Sequence, residues 1–115
     1  MFKFEGLDVW KKNLAFGEEI IKLSDRISQR EQFSLGEQLR RASLSISANI
    51  AEGTGREGCK ESRYFYSVAK GSVYEVVSLL TIMQRRGYLE ESKYIDLCQA
   101  ADEISKMLAG LIKLR

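Results

Sequence analysis

Gly53-Thr54-Gly55-Arg56-Glu57-Gly58 matches GxGxxG, the spacing that cradles a pyrophosphate, and Glu75 stands about twenty residues on, where a ribose-binding acid belongs. That chemistry needs a strand before the glycines. Here the preceding residues repeat at helical spacing, so the run reads as a glycine-rich turn between helices. Tyr66-Ser67-Val68-Ala69-Lys70 matches the YxxxK pair of short-chain dehydrogenases. In 115 residues without a Rossmann half, it is a coincidence of helical spacing. Histidine is absent, which removes the commonest general base and metal ligand. Cys59 and Cys98 lack CxxC spacing and cannot build a zinc site unaided. Carboxylate metal sites in helical bundles pair Glu with Glu-x-x-His, which this chain does not have. Ser43, Ser45 and Ser47, close to Arg40 and Arg41, suit packing and helix surface. The expectation is no catalytic residue, no metal, no cofactor and no enzyme.

The elements that position these residues are helices. From Gln38 to Arg56 the chain reads QLRRASLSISANIAEGTGR, and its periodicity organises the rest. Leu35, Leu39, Ala42, Ser43, Ile46, Ile50 and Gly53 share one face at 3.6-residue spacing. Gln38, Arg41, Ser45, Asn49, Glu52 and Arg56 form a polar row beside it, and Arg40, Leu44, Ser47 and Ala51 a third. Small side chains let a neighbouring helix approach closely. Asn49 and Glu52 border the apolar face, so they need partners such as Arg41, Arg56, Tyr64, Tyr74 or a second chain. Ser34 with Glu37 has the spacing of a capping box, and Gly53 and Gly55 supply the stop.

Three more helices complete the pattern. Before the central helix, a first one runs over 8–29 on the rows Trp10, Leu14, Gly17, Ile21 and Phe16, Ile20, Leu23, Ile27. After it, 60–86 carries Phe65, Ala69, Ser72, Val76, Leu79, Leu80 and Met83, with Gly87 as its stop. The last, 90–113, keeps a 3-4-3-4 seam through Tyr94, Leu97, Ala101, Ile104, Leu108 and Leu111. With the central helix at 36–53 and short turns between, the fold class is all-α: one domain, 1–115, an antiparallel up-down four-helix bundle. Its expected core is Phe16, Ile20, Leu39, Ile46, Ile50, Phe65, Val76, Leu80, Leu97, Ile104 and Leu108. Val9, Tyr66, Val73, Val77, Leu80 and Ile82 are more apolar surface than one stripe needs, which points to a homo-oligomer.

Composition excludes other classes. With 44% hydrophobic and 30% charged residues and no proline, the chain suits a globular helical domain, and disorder does not fit. No secretory leader is expected from MFKFEGLDVWKKN, no apolar run reaches about 18 residues, and the thiols are expected free in a reducing cytosol. Net charge is +2: zero over residues 1–33, +3 over 34–86 and −1 over 87–115. In an up-down bundle one pole would collect Arg26, Arg30, Arg40, Arg41, Arg85, Arg86 and Lys93, beside Asp25, Glu31, Glu37, Glu90 and Glu91. Those arginines are the candidate phosphate contacts, and the acids would neutralise part of their field.

The stretch QLRRASLSISANIAEGTGR resembles the signature of the 23S rRNA intervening-sequence protein family of small bacterial four-helix bundles. Arg63-Tyr64-Phe65, Ala69-Lys70-Gly71-Ser72, Glu75 and Lys106-Met107-Leu108 are similar to the same pattern, which often has proline where this chain has Ser47. In the family motif Gln38, Asn49, Glu52 and Arg56 are structural polar residues. The resemblance extends to the accessory variability determinant of diversity-generating retroelements, a strongly basic pentameric bundle. It implies a pentamer and a cytoplasmic accessory role with RNA or DNA, with a protein partner such as a reverse transcriptase. The second function class is a protein-binding oligomeric scaffold without nucleic-acid contact.

Overall fold

The computed structural model describes residues 1–114, and the chain folds as an all-α four-helix bundle. A 3-10 turn, Lys3–Gly6, leads into α1 (Asp8–Ser24). A connection at 25–36 holds a second 3-10 turn, Gln29–Glu31, and a π turn, Gln32–Gly36. Then follow α2 (Glu37–Gly55), α3 (Cys59–Arg85) and α4 (Glu91–Leu114). Among the described residues there is no strand. Side-chain pairs show how the helices run. Asn13 meets Ser47, and Ser24 meets Arg40. Thr54 meets Tyr66, and Ser45 meets Ser72. Lys12 reaches Glu103, and Lys93 reaches Glu19. As numbers rise in one helix they fall in its neighbour.

α2 packs against both α1 and α3. Its predicted face is buried along its whole length: Leu35, Leu39, Ala42, Ser43, Ile46, Ile50 and Gly53. The small-residue lining has a geometric use at Gly53. A methyl there would stand 2.7 Å from Tyr66 Cε1 and 3.2 Å from the Ser62 carbonyl oxygen. Ser62 Oγ donates to the Gly53 carbonyl (2.8 Å), so the backbones touch where α3 begins.

Three expectations are corrected. First, Phe65 is only half-buried, and Tyr66 fills the core instead with no exposure at all. The buried face of α3 begins at Ser62 and Tyr66, because Gly53 leaves room for the Tyr66 ring. Second, α1 ends at Ser24, five residues short of Gln29. Ser24 Oγ bonds the Ile21 carbonyl, and Gln32 Nε2 takes the Ser24 and Ile27 carbonyls (2.9 and 2.7 Å), so the chain turns there. Third, Ser34 makes no capping box with Glu37. The backbone enters α2 already helical through the π turn, whose carbonyls accept the Glu37 N–H, and Ser34 Oγ donates to the Glu31 carbonyl.

The surplus apolar residues are also redistributed. Val9, Tyr66, Val73 and Leu80 lie in this chain's own core, Val77 is half-buried, and Ile82 is exposed. In α1 the core row is Val9, Asn13, Phe16, Ile20 and Leu23, while Leu14 faces outward. Asn13 was missed, although its 4-3-4-3 register with those apolar residues marks it. Its Nδ2 donates to Ser47 Oγ (2.7 Å), and its Oδ1 is buried without a hydrogen-bond partner among the described residues. Ser47 therefore satisfies the nitrogen end of a buried amide. Ser47→Ala will lower stability by ~1–3 kcal/mol in urea denaturation, because it orphans the other end of that amide as well. Ser67→Ala, on the exposed side of α3, will stay within about 0.5 kcal/mol of wild type.

Candidate nucleic-acid interface

The pole is built by helix ends and the turns that join them. α3 closes on a Schellman turn: Gly87 adopts φ +82°, its N–H bonds the Gln84 carbonyl (3.1 Å), and the Tyr88 N–H bonds the Met83 carbonyl (3.0 Å). Only glycine takes that φ without strain. The turn sets Arg86 and Tyr88 against the 25–36 connection. Both meet Glu31 on one oxygen: Arg86 Nη2 stands 2.8 Å and Tyr88 Oη 2.5 Å from Glu31 Oε1. Ser28 Oγ lies 3.0 Å from Tyr88 Oη. The connection is pinned by buried Ile27 and Leu35, and by Gln32 through its two carbonyl contacts.

The six candidate arginines stand differently. Arg40 turns inward, its Nη1 bonding Gln32 Oε1 (3.0 Å) and Ser24 Oγ (3.3 Å). Arg86 is engaged by Glu31. Arg26, Arg30 and Arg85 are exposed. Arg26 lines a groove of about 540 Å³ with Glu19, Lys22, Tyr88, Glu90 and Lys93, in which Lys93 Nζ pairs with Glu19 at 3.0 Å. Arg41 is exposed on another face, the outer groove between α2 and α3, with Gln38, Ser45 and Glu75. Sequence reasoning found the arginines but not Gln32, which holds Arg40, nor Tyr88 and Ser28, of which Tyr88 shares the Glu31 oxygen with Arg86 and Ser28 bonds Tyr88. The residue after the stop glycine was the one available signal, and it pointed to Tyr88.

Hydrogen bonding from Arg86, then from Tyr88, holds the Glu31 carboxyl below its ordinary value of 4.5, and the nearby Arg86 and Arg30 charges add to this. Lys93 lowers Glu19 in the same way. A depressed carboxylate contributes stability above its unfolded pKa and loses it as pH falls through the folded value. Wild type will therefore exceed Glu31→Gln in melting temperature at pH 7. The gap will narrow below about pH 4.5 and close in strong acid.

The family-motif polar row runs along the α2–α3 groove and is largely self-satisfied. Asn49 Nδ2 donates to the Ser45 carbonyl (2.8 Å) and Ser45 Oγ (3.0 Å), and Ser45 Oγ bonds Ser72 Oγ across the helices (2.9 Å). Glu52 pairs with Arg56 at 2.7 Å, one of the partners expected for it. Arg56 also approaches Glu61 (3.7 Å) and sits 4.7 Å over the Phe65 ring. Gln38 is exposed at the other end of the row. These contacts fasten α2 to α3. The GxGxxG glycines close α2 and open α3, and the Tyr66 hydroxyl of the YxxxK pair bonds Thr54 Oγ1 in the core (3.0 Å). Cys59 and Cys98 are free thiols.

A four-helix bundle with a mixed-charge, arginine-bearing pole is the class of protein these features define. The chain belongs to the 23S rRNA-intervening sequence protein family, whose model matches residues 5–110. It is similar in structure to a protein of unknown function from the S23 ribosomal protein family of Bacteroides thetaiotaomicron. That likeness has a TM-score of 0.83 and 25% identity over 91% of this chain and 95% of the other. No curated protein matches the chain. None of the described helices is long and apolar enough to cross a membrane.

Proposed function

We propose that this chain is a non-enzymatic, homo-oligomeric accessory protein that holds RNA phosphates at its arginine-bearing pole. The observation that carries the reading is that Arg86 and the Arg30 charge both act on Glu31, with Arg26 in the adjoining groove and Arg85 exposed next to Arg86 at the end of α3. A ring of subunits, a pentamer by family resemblance, repeats that weak patch around an axis and makes it multivalent. Leu14 and Leu44, 42% and 61% exposed, flank a largely apolar groove between α1 and α2 and supply surface for such an assembly. Resemblance to the retroelement accessory determinant extends the reading to DNA and to a protein partner such as a reverse transcriptase. Phosphates are held without base readout.

Titration of a structured RNA tests this. About four exposed arginine contacts imply that affinity falls about a hundredfold from ~50 to ~200 mM salt. In Arg26→Ala/Arg30→Ala the same salt step will cost only about tenfold. Light scattering in the same buffer will report a multiple of 13.1 kDa. The alternative, a protein-binding scaffold, draws on the pairing of Glu31 with Arg86 and Glu19 with Lys93, which lowers the pole's field. Absence of RNA binding by wild type even at ~50 mM would decide for it.

A further inference from the structure

Two donors converge on one carboxylate oxygen at the pole, a third stands behind one of them, and that carboxylate belongs to the protein itself. Arg86 and Tyr88 reach Glu31 Oε1 directly, and Ser28 hydrogen-bonds Tyr88. When Tyr88 donates to Glu31, the Ser28 hydroxyl donates to Tyr88, so the chain of bonds is polarised toward the anion. A guanidinium and a phenol arranged this way suit any oxyanion, and a phosphate oxygen presents them with the same chemistry as a carboxylate.

We propose that Arg86, Tyr88 and Ser28 form a preformed phosphate seat, which Glu31 fills in the free protein and an RNA phosphate takes by displacing it. The inference rests on the phosphate-binding reading above and adds its site and its competitor. Approach is open, because the Arg86 side chain is 55% exposed while that of Glu31 is 21% exposed. Exchange needs no unfolding. The donors are held by the Schellman turn, and the connection is anchored by Ile27, Gln32 and Leu35 rather than by Glu31. Rotation of the Glu31 side chain vacates the seat. Arg30, whose charge already acts on the Glu31 carboxylate, adds attraction for the incoming phosphate.

The test compares wild type, Glu31→Ala, Glu31→Ala/Arg86→Ala and Glu90→Ala, each checked for helicity by circular dichroism. Glu90→Ala removes one negative charge at the same pole outside the seat. Two probes are used: inorganic phosphate, followed through the Tyr88 ring signals, and the structured RNA. Glu31→Ala will bind RNA at least about tenfold more tightly than wild type. Glu90→Ala will gain less than about threefold. Arg86→Ala in the Glu31→Ala background will erase the gain, and phosphate will shift Tyr88 in Glu31→Ala at concentrations that leave wild type unmoved. Equal gains in Glu31→Ala and Glu90→Ala would reduce the effect to bulk charge and overturn the seat. Weaker RNA binding by a folded Glu31→Ala would overturn it too, as would a Tyr88 signal indifferent to phosphate. If Tyr88 responds in Glu31→Ala but no variant binds RNA, the seat stands and the RNA reading falls. Should Glu31→Ala lose its fold, Glu31→Ser, whose short side chain leaves the seat open, will carry the same comparisons.

Discussion

Tyr66→Ala will lower the unfolding free energy by ~3–5 kcal/mol, among the largest effects available to a single substitution here. Tyr66 has no exposure, and its ring lies against the Gly53 backbone where α2 and α3 approach closely. The Ser62 hydroxyl donates to the Gly53 carbonyl at 2.8 Å and ties the two helices together, so the walls cannot collapse fully into the space left by the ring. Losing the hydroxyl adds little: Thr54 Oγ1 still donates to the Ile50 carbonyl at 2.8 Å. Tyr66→Phe will accordingly cost about 1 kcal/mol, which separates the packing contribution from the hydrogen bond. Urea denaturation checks both. A loss within 1 kcal/mol for the alanine variant would mean that the helix contact at Gly53 is loose. In a domain whose total stability is ~5–15 kcal/mol, the predicted loss puts a large share of it at risk.

Ile50→Ala comes next, at ~2–5 kcal/mol. Ile50 is fully buried on the face of α2 that packs into the bundle, and its carbonyl anchors Thr54, the partner of Tyr66. Ala48→Ser, two residues earlier and exposed, will stay within about 0.5 kcal/mol. Ile50 lies in the half of α2 remote from the Glu31–Arg86 contact. RNA affinity per folded molecule should therefore be unchanged in Ile50→Ala, which separates stability from the pole's chemistry.

What could be read in advance depended on how local its cause is. Hydrophobic periodicity marked four helices, and it marked Leu39, Ile46 and Ile50 as buried, because a 3.6-residue stripe has one way to leave water. Gly87 announced the end of α3, since a positive φ is a backbone property. The α4 seam behaved likewise, with Leu97, Ala101, Ile104 and Leu108 buried. Facing residues were harder. Phe65 and Tyr66 are adjacent and both apolar, and the choice between them was made by Gly53 on another helix. Asn13 was legible from its register, but its partner Ser47 lies 34 residues away.

The sequence by itself determined the class of the molecule: an all-α bundle without histidine, its arginines gathered near the helix ends by helix length and turn position. Which arginines are engaged was decided only in three dimensions. Arg40 and Arg41 are neighbours in sequence, about 100° apart on their helix, so Arg40 turns inward onto Gln32 while Arg41 faces the outer α2–α3 groove. Arg85 and Arg86 divide in the same way: the Schellman turn delivers Arg86 to Glu31 and leaves Arg85 exposed. Charge can be counted along a chain. Pairing depends on a distance of a few ångströms between segments more than fifty residues apart, and only the folded packing sets that distance.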